Sequence, residues 1–533
     1  MINRYQSYIP GAGMMVFIAM ALIFLPWLGE TLFYSKGEPR EAIVGMSILQ
    51  SGNWILPVNY GTDIPYKPPF LGWLIAALAW LLNGGTVNEY ISRLPSVLAM
   101  MAMVGGGYLW ARRERGTRFA MIFSFVTFCS FEVFRAALAC RLDMVLTACM
   151  VGSIYLMYHI REHKPRGKAW RYIAVVALLT AATLTKGPVG ALLPCFVIGV
   201  YRLLRGDRFF PTLFKMLGLS ALALILPAWW FYSAWQQGGD HFYDLMWEEN
   251  FGRLFGTMSY ESHVRPFWYN FVTLAAGLLP WTVLLLAAAI TARRRSLPAL
   301  KPAGLLALTA AVLIVGFYCI PSSKRSTYLL PAYPFICYAI TCLIESKDAG
   351  KALRFFAWFT AALAVIAPVA LTAIQIVRPD FLRVDTVPWW GYILLAVPLT
   401  AGIAWFVNRH SAAAHVCASI WALYFAYVAV GMPMVLNPLS DKNFAAEGLH
   451  LETCTDEIYT IEPYRLYSSN FYSGNRVRAL PSIEAAADRP SGTVLLIAPH
   501  FTDTTGLGRH YDSRPLTARS ADHRDPLIIS IHR

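Results

Sequence analysis

Seven short segments gather the residues of this chain that could do chemistry. They are Glu38-Pro39-Arg40-Glu41, Tyr66-Lys67-Pro68-Pro69, Arg141-Leu142-Asp143, Thr185-Lys186-Gly187-Pro188, Asn250-Phe251-Gly252-Arg253, His263-Val264-Arg265-Pro266 and Ser322-Ser323-Lys324-Arg325. Arg and Lys bind phosphate oxygens through charge-assisted hydrogen bonds. A carboxylate beside them can act as a general base on a hydroxyl within hydrogen-bond reach. Each segment abuts a long apolar run, where an ionisable group is expensive unless it is paired or functional. Taken singly, each has a plainer reading. Lys67, Lys186 and Lys324 could snorkel to headgroups, and Arg253 and Arg265 sit in an aromatic-rich loop that could be an interfacial belt. Glu38 could only neutralise Arg40, and Asp143 could only pair with Arg141. His263 alone is weak evidence. Arg93, Glu132 and Arg135 read most simply as inter-helix pairs. The set as a whole points to one anionic ligand at a membrane surface, and a lipid phosphate is the natural candidate.

The elements that must hold these segments are membrane spans. Of 533 residues, 57% are apolar and only 14% charged, with mean hydropathy +0.47. A soluble domain carries about 25% charged residues. The net charge of +14 lies in short clusters between apolar runs, which is how a membrane protein sets its orientation and excludes a nucleic-acid-binding face. Eight of the nine cysteines lie in or beside apolar runs, and no CxxC pair or disulfide framework appears.

Thirteen apolar runs are candidate spans: 11–29, 90–110, 118–136, 141–159, 172–185, 188–204, 211–235, 266–291, 302–320, 327–345, 353–377, 388–407 and 412–436. The run 69–82 is short and is read as interfacial or re-entrant. With it so placed, Arg4 and the basic clusters at 112–118, 161–171, 202–208, 293–301, 347–354 and Arg409 all fall on one side. The positive-inside rule makes that side cytoplasmic. The N-terminus is then cytoplasmic, and the seven segments face outward, chiefly in the loops 30–89 and 236–265. The tail 441–533 is mixed polar, with strand-like runs at 457–461, 476–480, 493–498 and 526–531. It is expected to be a small α/β domain outside, following a transmembrane domain over 1–440.

The stretch GEPREAIVGMSILQSGNWILPVNYGTDIPYKPPFLGWL resembles the first outer loop of the polyprenyl-phosphate-sugar glycosyltransferases of the GT-C class. RLDMVLTA, LTKGPVGALLP, NFGRLF with HVRPFWYN and LLPW, and SSKRSTYLLPAYP follow in order. The pattern is most similar to the lipid A aminoarabinose transferase branch, which is related to protein mannosyltransferases. It implies an all-α polytopic fold with about 13 transmembrane helices in the bacterial cytoplasmic (inner) membrane. The implied activity is inverting transfer of a sugar, such as 4-amino-4-deoxy-L-arabinose, from undecaprenyl phosphate to lipid A or a related acceptor on the periplasmic side. In this reading Lys67, Arg253, Tyr328 and Lys186 bind the donor phosphate. Lys324, Arg325, His263 and Arg265 bind acceptor or phosphate, and Glu38, Arg40 and Asp143 are catalytic. The resemblance requires no cofactor, and a divalent metal stays open.

One departure stands out. The family reads Asp-Glu-x-Arg where this chain reads Gly37-Glu38-Pro39-Arg40, and the residue before Lys67, often Glu in the family, is Tyr66. Either Glu38 has become the base, or the acceptor needs none because a phosphate is already an anion, or the activity has changed. An amine on the sugar would suit an outward carboxylate such as Asp143. Transfer to a protein or glycan hydroxyl is the alternative within the class. A transporter or flippase of lipid-linked sugars is the rival from another class, but it would show inverted repeats and midplane charges. A scaffold would explain the tail and not the loop cations.

Overall fold

The computed structural model describes residues 11–35, 37–61, 63–65, 67–248, 264–291, 301–346, 349–377, 387–408, 411–440, 442, 458–461, 467–481, 485, 494–497, 511–515 and 528–532. Arg253 and His263 lie outside the described residues, as do Gly252, Tyr66 and most of the loop 236–265 beyond Glu248.

Each of the thirteen expected runs is helical. Among the described residues, eight helices are long and apolar enough to cross a bilayer: Glu89–Arg115, Leu142–His163, Phe209–Trp247, Pro302–Cys319, Ser326–Ile344, Gly350–Val377, Trp389–Val407 and Ala412–Leu439. Ala12–Phe24 and Val189–Leu204 are shorter apolar helices, and Lys168–Lys186 is the remaining one. The chain is an all-α polytopic membrane protein.

Two of the expected runs are not straight. Thr117–Phe128 and Phe131–Ala137 meet at 69°, and Tyr269–Gly277 and Trp281–Ile290 meet at 103°. The second break falls at Pro280, which has no N–H to give to a helix ladder. The two breaks are tied together, because Phe131 N donates to Leu279 O at 2.9 Å. A backbone donor freed at one bend is thus satisfied by a carbonyl freed at the other, as a low-dielectric setting demands.

The run 69–82 forms the helix Phe70–Leu82, 13 residues long. At 1.5 Å per residue it reaches about 20 Å, short of the ~30 Å hydrocarbon core.

The chain forms two compact units, one of Met1–Trp27, Ser96–Phe381 and Val387–Val430, the other of Leu28–Pro95, Leu382–Thr386 and Gly431–Arg533. In the second unit the helices Gly37–Ser51 and Phe70–Leu82 cross closely, with Val44, Ile48 and Ala76 buried between them and Trp73 packed alongside. The approach depends on paired glycines. A Cβ at Gly45 would stand 2.6 Å from Ile75 Cγ2, and one at Gly72 would stand 2.6 Å from Val44 Cγ1.

The same unit holds a five-stranded sheet of order β2-β1-β3-β5-β4, from β1 (Ile458–Ile461), β2 (Val477–Leu480), β3 (Val494–Ile497), β4 (Tyr511–Pro515) and β5 (Ile528–His532). β1 runs parallel to β2 and β3, while β5 runs antiparallel to β3 and β4. The helix Tyr467–Tyr472 links β1 to β2. Four strands match apolar runs in the sequence. β4 does not, because an edge strand reading Tyr-Asp-Ser-Arg-Pro needs neither an apolar face nor a donor at its Pro515 end.

Gly72→Val should lower stability by about 1–3 kcal/mol through overpacking against Val44. The readout is a lower thermal midpoint of the detergent-purified protein. Gly105→Ala, where an added Cβ meets nothing within 4 Å, should leave the midpoint unchanged.

Candidate active site

The second unit builds a charged cleft around Lys67. Asn53 starts it by capping a turn: its Oδ1 accepts from Ile55 N at 3.0 Å and Leu56 N at 3.1 Å. Ser47 Oγ on the first helix accepts from Val58 N at 3.2 Å. The chain then reverses through a narrow hairpin in which Asn59 and Asp63 exchange both backbone hydrogen bonds at 2.8 Å. Tyr60 and Gly61 supply the positive φ angles of 50° and 84° at its tip. The strand returning from the tip leads to Lys67 and the Pro pair, and Trp73 N donates to Pro69 O at 2.8 Å to start the Phe70–Leu82 helix.

The resulting cleft is lined by Arg40, Glu41, Asn59, Asp63, Lys67 and Tyr467 with apolar Val44, Ile64 and Pro65. Lys67, expected at the donor phosphate, and Arg40, expected to be catalytic, therefore share one cleft. Glu41 and Asp63 were not singled out there. Glu41 carried a signal in the motif itself, since it follows Arg40 directly. Asp63 had none, because only the hairpin brings it back.

Glu38 has a different place. It is buried against Arg93, with Nε to Oε1 at 2.9 Å and Nη2 to Oε2 at 3.3 Å. Arg93 Nη1 also donates to Leu28 O at 3.0 Å and to Thr31 O. Its guanidinium stands 5.0 Å from the centroid of the Phe33 ring. Arg40 pairs with Glu41, not Glu38, through Nη2 and Nε to the single oxygen Oε1 at 2.7 and 3.1 Å. Arg93 thus makes the pair between elements expected of it. Glu132 and Arg135 instead pair three residues apart within one helix, at 2.6 Å.

The tail helix Tyr467–Tyr472 docks on the same segments. Tyr472 Oη accepts from Phe33 N and donates to Glu89 Oε1, both at 2.9 Å. Burial, with the Glu89 carboxylate beside it, pushes this phenol above its ordinary range. Gln50 and Asn475 join at 3.0 Å.

The first unit carries a separate cluster. Gly187, at φ 88°, ends the Lys168–Lys186 helix before Pro188, which leaves Lys186 at the negative end of the helix dipole. Its Nζ donates to Asp143 Oδ1 at 2.5 Å and stands 4.2 Å from the centroid of the Tyr328 ring. Arg141 and Arg325 add positive field at Asp143. Asp143 thus pairs with Lys186, and Arg141 is only a secondary neighbour.

Lys324 is 5% exposed, and its Nζ donates to Pro321 O at 2.6 Å and to Arg265 O at 3.3 Å. Arg265 N donates in turn to Ser322 O at 3.2 Å. Lys324 therefore clamps the backbone of two loops. Arg265 lies over the Tyr269 ring at 5.8 Å. Among the described residues, no group of three or more His, Cys, Asp and Glu is placed to hold a metal ion.

Comparison with known proteins bears on this arrangement. The family described as dolichyl-phosphate-mannose-protein mannosyltransferase matches residues 66–231. The chain is 26% identical to the undecaprenyl phosphate-alpha-4-amino-4-deoxy-L-arabinose arabinosyl transferase 2 of Proteus mirabilis, over 74% of this chain and 72% of that one. It is 27% identical to the corresponding transferase of Pseudomonas aeruginosa strain LESB58, over 83% and 79%. The crystal structure of ArnT from Cupriavidus metallidurans bound to undecaprenyl phosphate superposes with a TM-score of 0.76 at 20% identity, covering 98% of both chains.

Arg93→Met should cost about 3–5 kcal/mol, because it strands the buried Glu38 carboxylate. Adding Glu38→Leu should recover much of that loss. Thermal unfolding of the two variants and the double variant measures the coupling. A double variant no more stable than Arg93→Met alone would show that the pair is not the unit of stability.

The polytopic helices, the superposition over nearly the whole chain and the transferase relatives converge: the chain is a multi-pass membrane glycosyltransferase with the GT-C fold.

Proposed function

We propose that the protein transfers 4-amino-4-deoxy-L-arabinose from an undecaprenyl-phosphate carrier to lipid A, at the periplasmic face of the bacterial inner membrane. The observation that carries this reading is the cleft that places Arg40 and Lys67 together, in a chain similar over most of its length to transferases named for that donor.

The chemistry is one displacement. An acceptor oxygen attacks the anomeric carbon from the face opposite the carrier. The bond from that carbon to the carrier phosphate oxygen breaks, and undecaprenyl phosphate leaves with the electron pair. Lys67 and Arg40 meet the charge that grows on the leaving phosphate, where fixed cations in a partly dry cleft act most strongly. A lipid A phosphate attacks as an anion and needs no base, which suits a chain with Gly37 at the start of the motif. Both Glu38 oxygens lie on Arg93, and we assign Glu38 to holding the loop that carries Arg40. On the resemblance, Lys186 and Tyr328 stay assigned to the donor phosphate, Arg325 and Arg265 to acceptor or phosphate, and Asp143 to orienting the sugar or acceptor. Lys324 becomes a loop clamp.

The first test is transfer by purified protein from undecaprenyl-phosphate-aminoarabinose to lipid A, read by mass spectrometry. Lys67→Ala should cut transfer about 10- to 100-fold, the worth of a charge-assisted hydrogen bond to phosphate. Undiminished transfer would remove Lys67 from the phosphate site. A wild-type protein that binds no carrier would reopen the transporter reading.

Orientation is tested by reporter fusions. A reporter active only outside the cytoplasm should work when fused after the tail and fail when placed in the loop 164–168. The reverse result would invert the assignment.

A further inference from the structure

We propose that Glu41 is the specificity residue for the transferred sugar, presenting its second carboxylate oxygen, Oε2, to a cationic amine on that sugar. The inference rests on the carrier-phosphate reading of the Lys67 cleft and adds which residue selects an aminosugar.

Glu41 is 9% exposed and sits in the first turns of the Gly37–Ser51 helix. Arg40 places both of its hydrogen bonds on Oε1, at 2.7 and 3.1 Å. Oε2 has no hydrogen-bond partner among the described residues, yet the side chain lines the cleft with Lys67. The carboxylate is therefore held at one oxygen and offered at the other.

The charge of the cleft points the same way. Among the described residues that line the cleft, Arg40 and Lys67 balance Glu41 and Asp63. Against these four groups a carrier phosphodiester adds one net negative charge. An ammonium on the sugar restores neutrality, whereas a neutral sugar does not. A buried or half-buried uncompensated charge is what such a site avoids. The donor that fits is thus a zwitterionic headgroup, with a phosphate and an amine within one sugar ring of each other.

Asp143 and Glu38, the carboxylates to which the sequence reading gave roles, are committed to other cations. Asp143, which the sequence suggested for the amine, pairs with Lys186 at 2.5 Å, with Arg141 and Arg325 in its field. Glu38 has both oxygens on buried Arg93.

The test is equilibrium binding to detergent-purified full-length protein, wild type and Glu41→Gln, of three probes: undecaprenyl phosphate, its aminoarabinose ester and the N-acetylated ester. Wild type should prefer the free amine to the N-acetylated ester by about tenfold, the scale of one charge-assisted contact. Glu41→Gln should abolish that preference while still binding undecaprenyl phosphate, and Glu41→Asp should retain part of it.

A preference that survives Glu41→Gln overturns the inference and leaves the transferase reading intact. So does a wild type with no preference. Loss of undecaprenyl phosphate binding in Glu41→Gln would make Glu41 a support for Arg40 instead. A wild type that binds none of the three probes overturns the carrier reading and the amine site together.

Discussion

The buried pair of Arg93 and Glu38 is the constraint on which the segments around Lys67 depend. A guanidinium taken out of water must have its donors satisfied, and here Glu38, Leu28 O and Thr31 O satisfy them, with the Phe33 ring alongside. The pair joins the segment 28–33, the start of the Gly37–Ser51 helix and the start of the Glu89–Arg115 helix. Such a pair adds little net stability over an apolar replacement, yet breaking it is costly. Its physical effect is therefore to specify one arrangement: with Glu38 pinned, the helix can rotate little, and Arg40 and Glu41 are aimed into the cleft.

The same logic of committed charges recurs through the molecule. Asp143 and Lys186 neutralise each other and place the ammonium over Tyr328. Lys324 gives its hydrogen bonds to backbone carbonyls, which in a nonpolar setting is worth more than an excursion to solvent. At the opposite ends of several helices, Asp207 takes Arg161 and Arg202, and Glu162 takes Arg205. Around the Lys67 cleft the accounting is different. Glu41 keeps an oxygen in hand, and the described lining carries two cations and two carboxylates.

Close helix packing is the second requirement. Where Gly45 and Gly72 let two helices touch, the hairpin and the Pro pair between them have little room to move. That rigidity holds Asp63 and Lys67 at fixed positions on what is otherwise a loop, and a site that must meet developing charge gains from such preorganisation.

The sequence by itself determined the membrane class, the thirteen apolar runs, the short helix at 70–82 and the segments where chemistry is concentrated. Hydropathy and basic-cluster placement are sums over neighbouring residues, and spans form without reference to distant parts of the chain. It also singled out Lys67 and Arg40 as candidate site residues, because the motifs that carry them, with Pro68, Pro69 and Glu41, are local. Only the tertiary structure decided which carboxylate each cation takes. Glu38 and Arg93 are 55 positions apart, and Asp143 and Lys186 are 43 apart. Asp63 reaches the cleft through a hairpin whose turn residues give no apolar signal. The bends at 128–131 and 277–281 were equally hidden, since each is stabilised by a hydrogen bond to the other. Pairing in a low-dielectric interior is decided by proximity and by competition among all available partners, and neither is written in the spacing along one chain.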